Sequence, residues 1–330
     1  MVAARIPPPL RIRVADPKGD LERIVEFQNR FARPAGYMAL ETVRRFEAQN
    51  PQPKRLVLVV DDPAGAVVAT GSVGDGGVFA LKDGTFRGGL RVVPEQQRRG
   101  IGTAMLEAFE RHARAHGAPR IQSSAQGDEP EGLRFAERHG YRETNRRYHS
   151  YLDVPAFDAS GFDDPDAVAR RAGVRLGTFA ELERELADDV EGLRRQIYDV
   201  AVTTGADIPR PEPIQMPPYE AISEMFFGPG SFDRGSSIVA VRDGRVVAVT
   251  ITDERGPGVK YTNFTGTLRE ERGRGLALAM KLKAIAALKG QGTRLLGTTN
   301  DEQNAAMRGI NAKLGYVPDP PMIELEKRLT

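Results

Sequence analysis

Apolar and polar residues alternate in Leu10-Arg11-Ile12-Arg13-Val14, which predicts an opening strand. Helical periodicity follows over residues 21–31 and 38–48, and Pro51-Gln52-Pro53 interrupts it. Residues 56–60 and 66–73, joined by the turn Asp61-Asp62-Pro63-Ala64-Gly65, read as a hairpin. A strand is expected at 86–93, a helix at 103–116, a short strand at 120–124, and a helix at 130–138 that stops at Gly140. A strand at 148–154 closes the series. The same order then recurs: a strand at 174–176, one helical region at 179–202, a hairpin over 237–241 and 245–252 with Arg242-Asp243-Gly244 at its turn, and a strand at 259–268. A helix at 276–289, a strand at 294–298, a helix at 304–313 stopped by Gly315, and a closing strand at 322–327 complete it.

The recurrence has a fixed offset. Gln97-Arg98-Arg99-Gly100-Ile101-Gly102 lies directly before one helix and Arg272-Gly273-Arg274-Gly275-Leu276-Ala277 before the other, and Gly100 and Gly275 are 175 positions apart. His139-Gly140-Tyr141 and Leu314-Gly315-Tyr316 repeat the interval of 175. A loop, its helix and a later helix-to-strand corner are therefore duplicated without slippage. The fold class expected is α/β (α+β), with two tandem domains at 8–154 and 173–330 and a linker rich in Asp, Gly and Pro at 155–172. Residues 208–218 hold so many prolines that no helix can run through them; a substrate wall and a surface loop are both open readings.

Composition narrows the chemistry. The chain has no cysteine, which removes disulfides, thiolate metal sites and cysteine nucleophiles and is compatible with a reducing cytoplasm. A net charge of +2 over 330 residues gives no reason to expect nucleic acid or an acidic membrane as partner. The N-terminus shows no secretory pattern, and the longest apolar candidate, 276–288, is interrupted by Lys281 and Lys283, so a cytoplasmic location is expected. No P-loop, dinucleotide, nucleophile-elbow or zincin motif occurs.

A strand that runs through a glycine loop into a helix presents unpaired N–H groups and the positive end of the helix dipole to an anion. Gly100 and Gly275 permit close approach of backbone to ligand, and Arg98, Arg99, Arg272 and Arg274 add charge suited to a pyrophosphate or ribose phosphate. The run from Val92 to Gly102 closely resembles motif A of the GCN5-related N-acetyltransferases (GNAT), and Arg272 to Ala277 fits the same pattern. Asn304-Ala305-Ala306-Met307, with Leu314-Gly315-Tyr316 after it, resembles the family's motif B. The resemblance spans both halves and is similar in architecture to tandem members such as mycothiol synthase.

That resemblance implies a mixed, twisted sheet flanked by helices in each half. The strand before each loop would splay from its neighbour, and the pantetheine arm of acetyl-CoA or a related acyl-CoA would enter the gap. The binding residues it implies are Val92, Val93, Gln97, Arg98, Arg99, Gly100, Ile101, Gly102 and Thr103 in the first half. In the second they are Thr267, Leu268, Arg272, Gly273, Arg274, Gly275, Leu276, Ala277 and Asn304. The implied enzyme is a metal-free N-acetyltransferase acting by direct transfer on a primary amine, of a small molecule before a protein, in a monomer or homodimer. The alternative is an acyl-CoA-binding sensor or scaffold with one or both halves catalytically degenerate, and mycothiol-synthase-like acetylation of a small amine is a further reading.

The catalytic residues stay unassigned. The family's usual tyrosine, four residues before the motif B glycine, is replaced by Ala136 and Asn311, and the strands before the loops carry no carboxylate. Glu129 stands where the second half keeps Asn304, which favours the second half as the better-preserved site, while the tidier loop favours the first. His112 and His116 have a metal-compatible spacing but read as a solvated pair. Asp301 and Glu302 read as an acid pair at a helix N-terminus, and Tyr148, Tyr151 and Tyr261 as packing.

Overall fold

The computed structural model of the chain describes residues 8, 10–211 and 215–329, so the proline-rich segment is described except for Glu212, Pro213 and Ile214. The chain divides into two compact units, residues 1–145 with 322–330 and residues 146–321. In chain order the first elements are β1 (Arg11–Val14), α1 (Leu21–Asn29), α2 (Leu40–Gln49), β2 (Leu56–Asp61), β3 (Val67–Gly74), β4 (Phe86–Val92), α3 (Ile101–Ala115), β5 (Arg120–Gln126), α4 (Pro130–Arg138) and β6 (Arg142–Asp153). Then come α5 (Pro165–Arg171), β7 (Arg175–Thr178), α6 (Phe179–Glu185), α7 (Val190–Gly205), α8 (Tyr219–Phe227), β8 (Ile238–Arg242), β9 (Arg245–Gly256), β10 (Val259–Thr267), α9 (Leu276–Gly290), β11 (Leu295–Asp301), α10 (Ala305–Lys313), β12 (Val317–Pro318) and β13 (Met322–Arg328).

In the first unit β1 to β4 form an antiparallel run, and β5 joins β4 in parallel. Its core gathers Val59, Val60 and Phe86 from the sheet with Met105 and Phe109 from α3. The second unit repeats the pattern: β7 to β10 are antiparallel and β11 joins β10 in parallel. Its core packs Val239, Val249 and Phe179 against Met280 of α9.

The closing strands differ from expectation. The strand expected to close the second repeat, β13, pairs with β5 of the first unit from Met322 opposite Gln126 to Arg328 opposite Arg120. The strand expected to close the first repeat, β6, pairs over residues 147–153 with β11 of the second unit. Both strands have the same alternation, and β5 and β11 present equivalent edges, so local pattern does not select the partner. Ile323, Leu325 and Leu329 are buried in the first core, and Lys327 donates to Glu110 at 2.6 Å there. Arg120 also pairs with Glu326 at 2.5 Å.

Two smaller differences have local causes. The helical region at 179–202 is broken after Glu185, because Asp189 caps a new helix by accepting from the Gly192 N–H at 3.0 Å. Within the residues read as linker, α5 forms behind Asp164, whose carboxylate accepts from the Ala167 N–H at 2.7 Å.

Candidate functional site: two loops and two strand gaps

β4 and β5 are in register only at Phe86 opposite Ile121 and Arg87 opposite Gln122. Beyond that point β4 stays paired with β3 and leaves β5, which opens a gap. The register fixes what faces it. Val93 donates to the Val68 carbonyl at 2.9 Å, so Val93, Arg91 and Gly89 turn their polar groups toward β3. By alternation, the main-chain groups of Gly88, Leu90 and Val92 face the gap. The gap continues into a cleft of about 860 Å³ that reaches Gly100, Gly102 and Thr103 at the start of α3.

Gly100 is the N-cap of α3 with φ of 82°, in the left-handed region that favours glycine. It has no side chain to cap with, so the first N–H groups of α3 have no side-chain acceptor. A Cβ on Gly102 would lie 3.3 Å from the Phe135 ring of α4, so a larger residue there would require that ring to shift by a few tenths of an ångström. Arg98 has φ of 61°, and its counterpart Gly273 shows the same hand at 78°. Gln97 donates to the Val92 carbonyl at 3.1 Å, Arg99 to Gln96 at 2.6 Å, and Arg98 lies 3.7 Å from Glu131 at the surface.

The second loop has the same backbone but a different electrostatic setting. Gly275 caps α9 at φ of 79°, again without a side-chain cap. Its arginines, however, are neutralised locally. Arg272 donates to Asp207 at 2.6 Å and to the Thr267 carbonyl at 3.0 Å, and Arg274 lies 3.1 Å from Glu271. Glu271 is buried and also takes the Arg242 guanidinium, which holds its carboxyl below the ordinary value. The gap between β10 and β11, in register from Val259 to Thr262, contains a cavity of only about 140 Å³.

The first repeat matches a known family. Residues 21–141 match the acetyltransferase (GNAT) family. A mycothiol acetyltransferase from Beutenbergia cavernae is 32% identical over 152 residues, 46% of this chain and 46% of that protein, so the match spans about half the relative's length. Two solved structures extend the likeness to both halves. The GCN5-related N-acetyltransferase from Sphaerobacter thermophilus superposes with a TM-score of 0.72 at 19% identity, covering 98% of this chain and 97% of that one. The tandem GNAT protein from the clavulanic acid biosynthesis pathway also gives 0.72 at 19% identity, covering 97% of this chain and 99% of that one. Residues 21–141 thus carry the GNAT match, and the fold of both halves is that of tandem GNAT proteins.

Several sequence expectations change once the two units are seen in three dimensions. Val92, Gln97, Arg98, Gly100, Gly102 and Thr103 line the large cleft, whereas Val93 and Ile101 are buried in the core. Arg99 is at the surface and does not line it. Of the second-half residues only Asn304 lines the small cavity; Leu268 and Leu276 are buried, and Leu268 donates to the Val247 carbonyl at 3.0 Å. Main-chain pairing with a ligand at Val93 and Leu268 is thus ruled out on the N–H side, because both N–H groups belong to the sheet.

The missing tyrosines are not replaced in place. Ala136 is buried and lines the first cleft. Asn311 is buried and donates to Asn300 at 2.5 Å. The weaker candidates resolve simply. His112 bonds the Lys54 carbonyl at 2.9 Å, and no three metal-ligating side chains cluster among the described residues. Tyr261 bonds Thr299 and lies 3.0 Å from His149, and burial pushes its hydroxyl up to about 12. Asp301 lines the small cavity and accepts from the Gln303 N–H at 3.0 Å; the cap of α10 is Asn304, not the acid pair.

Sequence reading missed two features. The Arg91–Glu129 pair, at 3.2 Å, spans from β4 to the turn after β5 at the open end of the cleft. Lys281 of α9 lines the small cavity and is only 2% exposed. The repeat offset held the signal for the second, since Lys281 aligns with Leu106, which lines the large cleft.

Proposed function

We propose that the first unit binds an acyl-CoA, acetyl-CoA in the first instance, and transfers the acyl group to the primary amine of a small molecule. The observation that carries this reading is the continuity of the cleft. It runs from the uncapped N-terminus of α3, flanked by Arg98, to the gap-facing main chain at Gly88, Leu90 and Val92. A diphosphate fits the first end by charge and N–H direction. A pantetheine arm fits the second, where its amides can continue the sheet edge. A thioester held there would meet an amine entering from the open end. Rate acceleration would come first from holding the two reactants in attacking geometry. A gap-facing N–H, of Leu90 or Val92, is suited to stabilise the carbonyl oxygen as it gains charge.

Proton transfer needs a group at the open end. Glu129 and Glu131 are the carboxylates that line the cleft, and Glu131 sits beside Arg98 of the loop and Arg134 of α4. Glu129, beside Arg91, is the one we assign to receive the amine proton, directly or through water. The thiolate has no side-chain acid at Ala136, so its proton would come from solvent. The test is coenzyme A thiol release from acetyl-CoA against a panel of primary amines, with Glu129→Gln alongside. The reading expects amine-dependent release, and about a hundredfold lower kcat in the variant. The name of the mycothiol acetyltransferase relative puts a thiol-bearing amine on that panel. Ala136 also motivates a second reading, an acyl-CoA-binding module without turnover. Tight acetyl-CoA binding with no amine-dependent release would favour it.

A further inference from the structure

The small cavity of the second unit contains donors with nothing to bind. Lys281 Nζ is buried with no hydrogen-bond partner, and it lies 5.5 Å from the centroid of the Tyr316 ring. Arg210 Nε, lining the same cavity, is likewise buried without a partner. A buried cation without an acceptor is costly, so Lys281 calls for one, and the half-buried Arg210 offers its Nε to the same space. Three cationic side chains (Lys281, Arg210 and Arg147) line this space against one carboxylate, Asp301. The local balance therefore favours an anion, and Asp301 penalises a dianion more than a monoanion. A space of about 140 Å³ exceeds what one or two waters need. Ile208, Phe264 and Met307 complete the wall and offer an apolar surface to a short alkyl chain.

We propose that the second unit has a binding site for a short-chain monocarboxylate, with the carboxylate between Lys281 and Arg210 and the alkyl end against Phe264 and Met307. The site replaces the gap that the first unit keeps open. At the aligned position the first unit has Leu106, which leaves its cleft accessible; Lys281 occupies that place in the second. The neutralised arginines of the second loop agree with this division, because a loop already paired to Asp207 and Glu271 has less attraction for a diphosphate. The proposal does not depend on acyl-CoA binding in the first unit.

The experiment titrates acetate and butyrate into the full chain, with ionic strength held by sodium chloride, and follows heat and backbone amide shifts. Saturable binding is expected, with shifts at Asn263 and Thr265. Lys281→Met and, separately, Arg210→Gln should each weaken it about tenfold or more. Arg210→Gln changes a residue outside the hydrophobic cores, so the test does not rest on the buried position alone. No saturable binding into tens of millimolar, equal binding of inorganic phosphate, or unchanged affinity in both variants would overturn the proposal. Acetyl-CoA titrated in a separate arm reports on the first cleft alone, so failure of either claim is distinguishable from failure of the other.

Discussion

Lys281 shows how one residue separates two copies of a fold. Burial alone holds its ammonium down from 10.5 to about 8. The unfolded chain therefore binds a proton between those values that the folded chain does not, so stability rises with pH across that window. The cost is fully present below pH 8. In carboxylate-free buffer, Lys281→Met should be the more stable protein at pH 7. Its advantage should shrink by about 3 kcal/mol as pH approaches 10.5. Chemical denaturation at several pH values measures this directly, and a constant difference would contradict the burial account. The loop glycines were legible in the sequence because only glycine accepts φ near 80° before a helix without strain. Lys281 was not, because it lies among apolar residues of a helix and its isolation depends on what surrounds it in space.

At the level of elements, six of the helices contrast in how they begin. α5, α6, α7 and α10 each start with a side chain that accepts from the first turn: Asp164, Thr178, Asp189 and Asn304. α3 and α9 start on glycine and leave that turn open. The contrast predicts opposite responses to substitution. Thr178→Ala removes a capping box shared with Glu181 and should lower stability by about 1 kcal/mol without changing acetyl-CoA binding. Gly100→Ala should cost a similar amount through its left-handed backbone, about 1 kcal/mol, and should also weaken acetyl-CoA. Thermal unfolding and titration of the two variants together distinguish an end that serves the helix from one that serves a ligand. The strands and helices themselves were largely readable from periodicity. The break at Asp189 was not, because residues 179–202 keep enough apolar residues in phase to imitate one helix.

The whole molecule has a constraint that neither repeat shows alone. The first unit is completed by the last strand of the chain, and Leu325 of that strand also lines the large cleft. Ending the chain after Pro321 should therefore impair the first unit more than the second. The expected signs are lost protection of β5 amides in hydrogen exchange and weaker acetyl-CoA binding, with protection in β8 to β10 retained. Uniform loss across both units would contradict this assignment. Duplication was legible from one constant interval, whereas the exchange of closing strands was not, because both strands have the same pattern and both edges accept it. The most direct test of the account remains the destination of the coenzyme. Acetyl-CoA titrated by calorimetry into the parent, Gly100→Glu and Gly275→Glu should bind the parent and Gly275→Glu alike and fail to bind Gly100→Glu, since a carboxylate there would fill and repel the phosphate end of the first cleft. Binding retained by Gly100→Glu, or lost in Gly275→Glu, would contradict it.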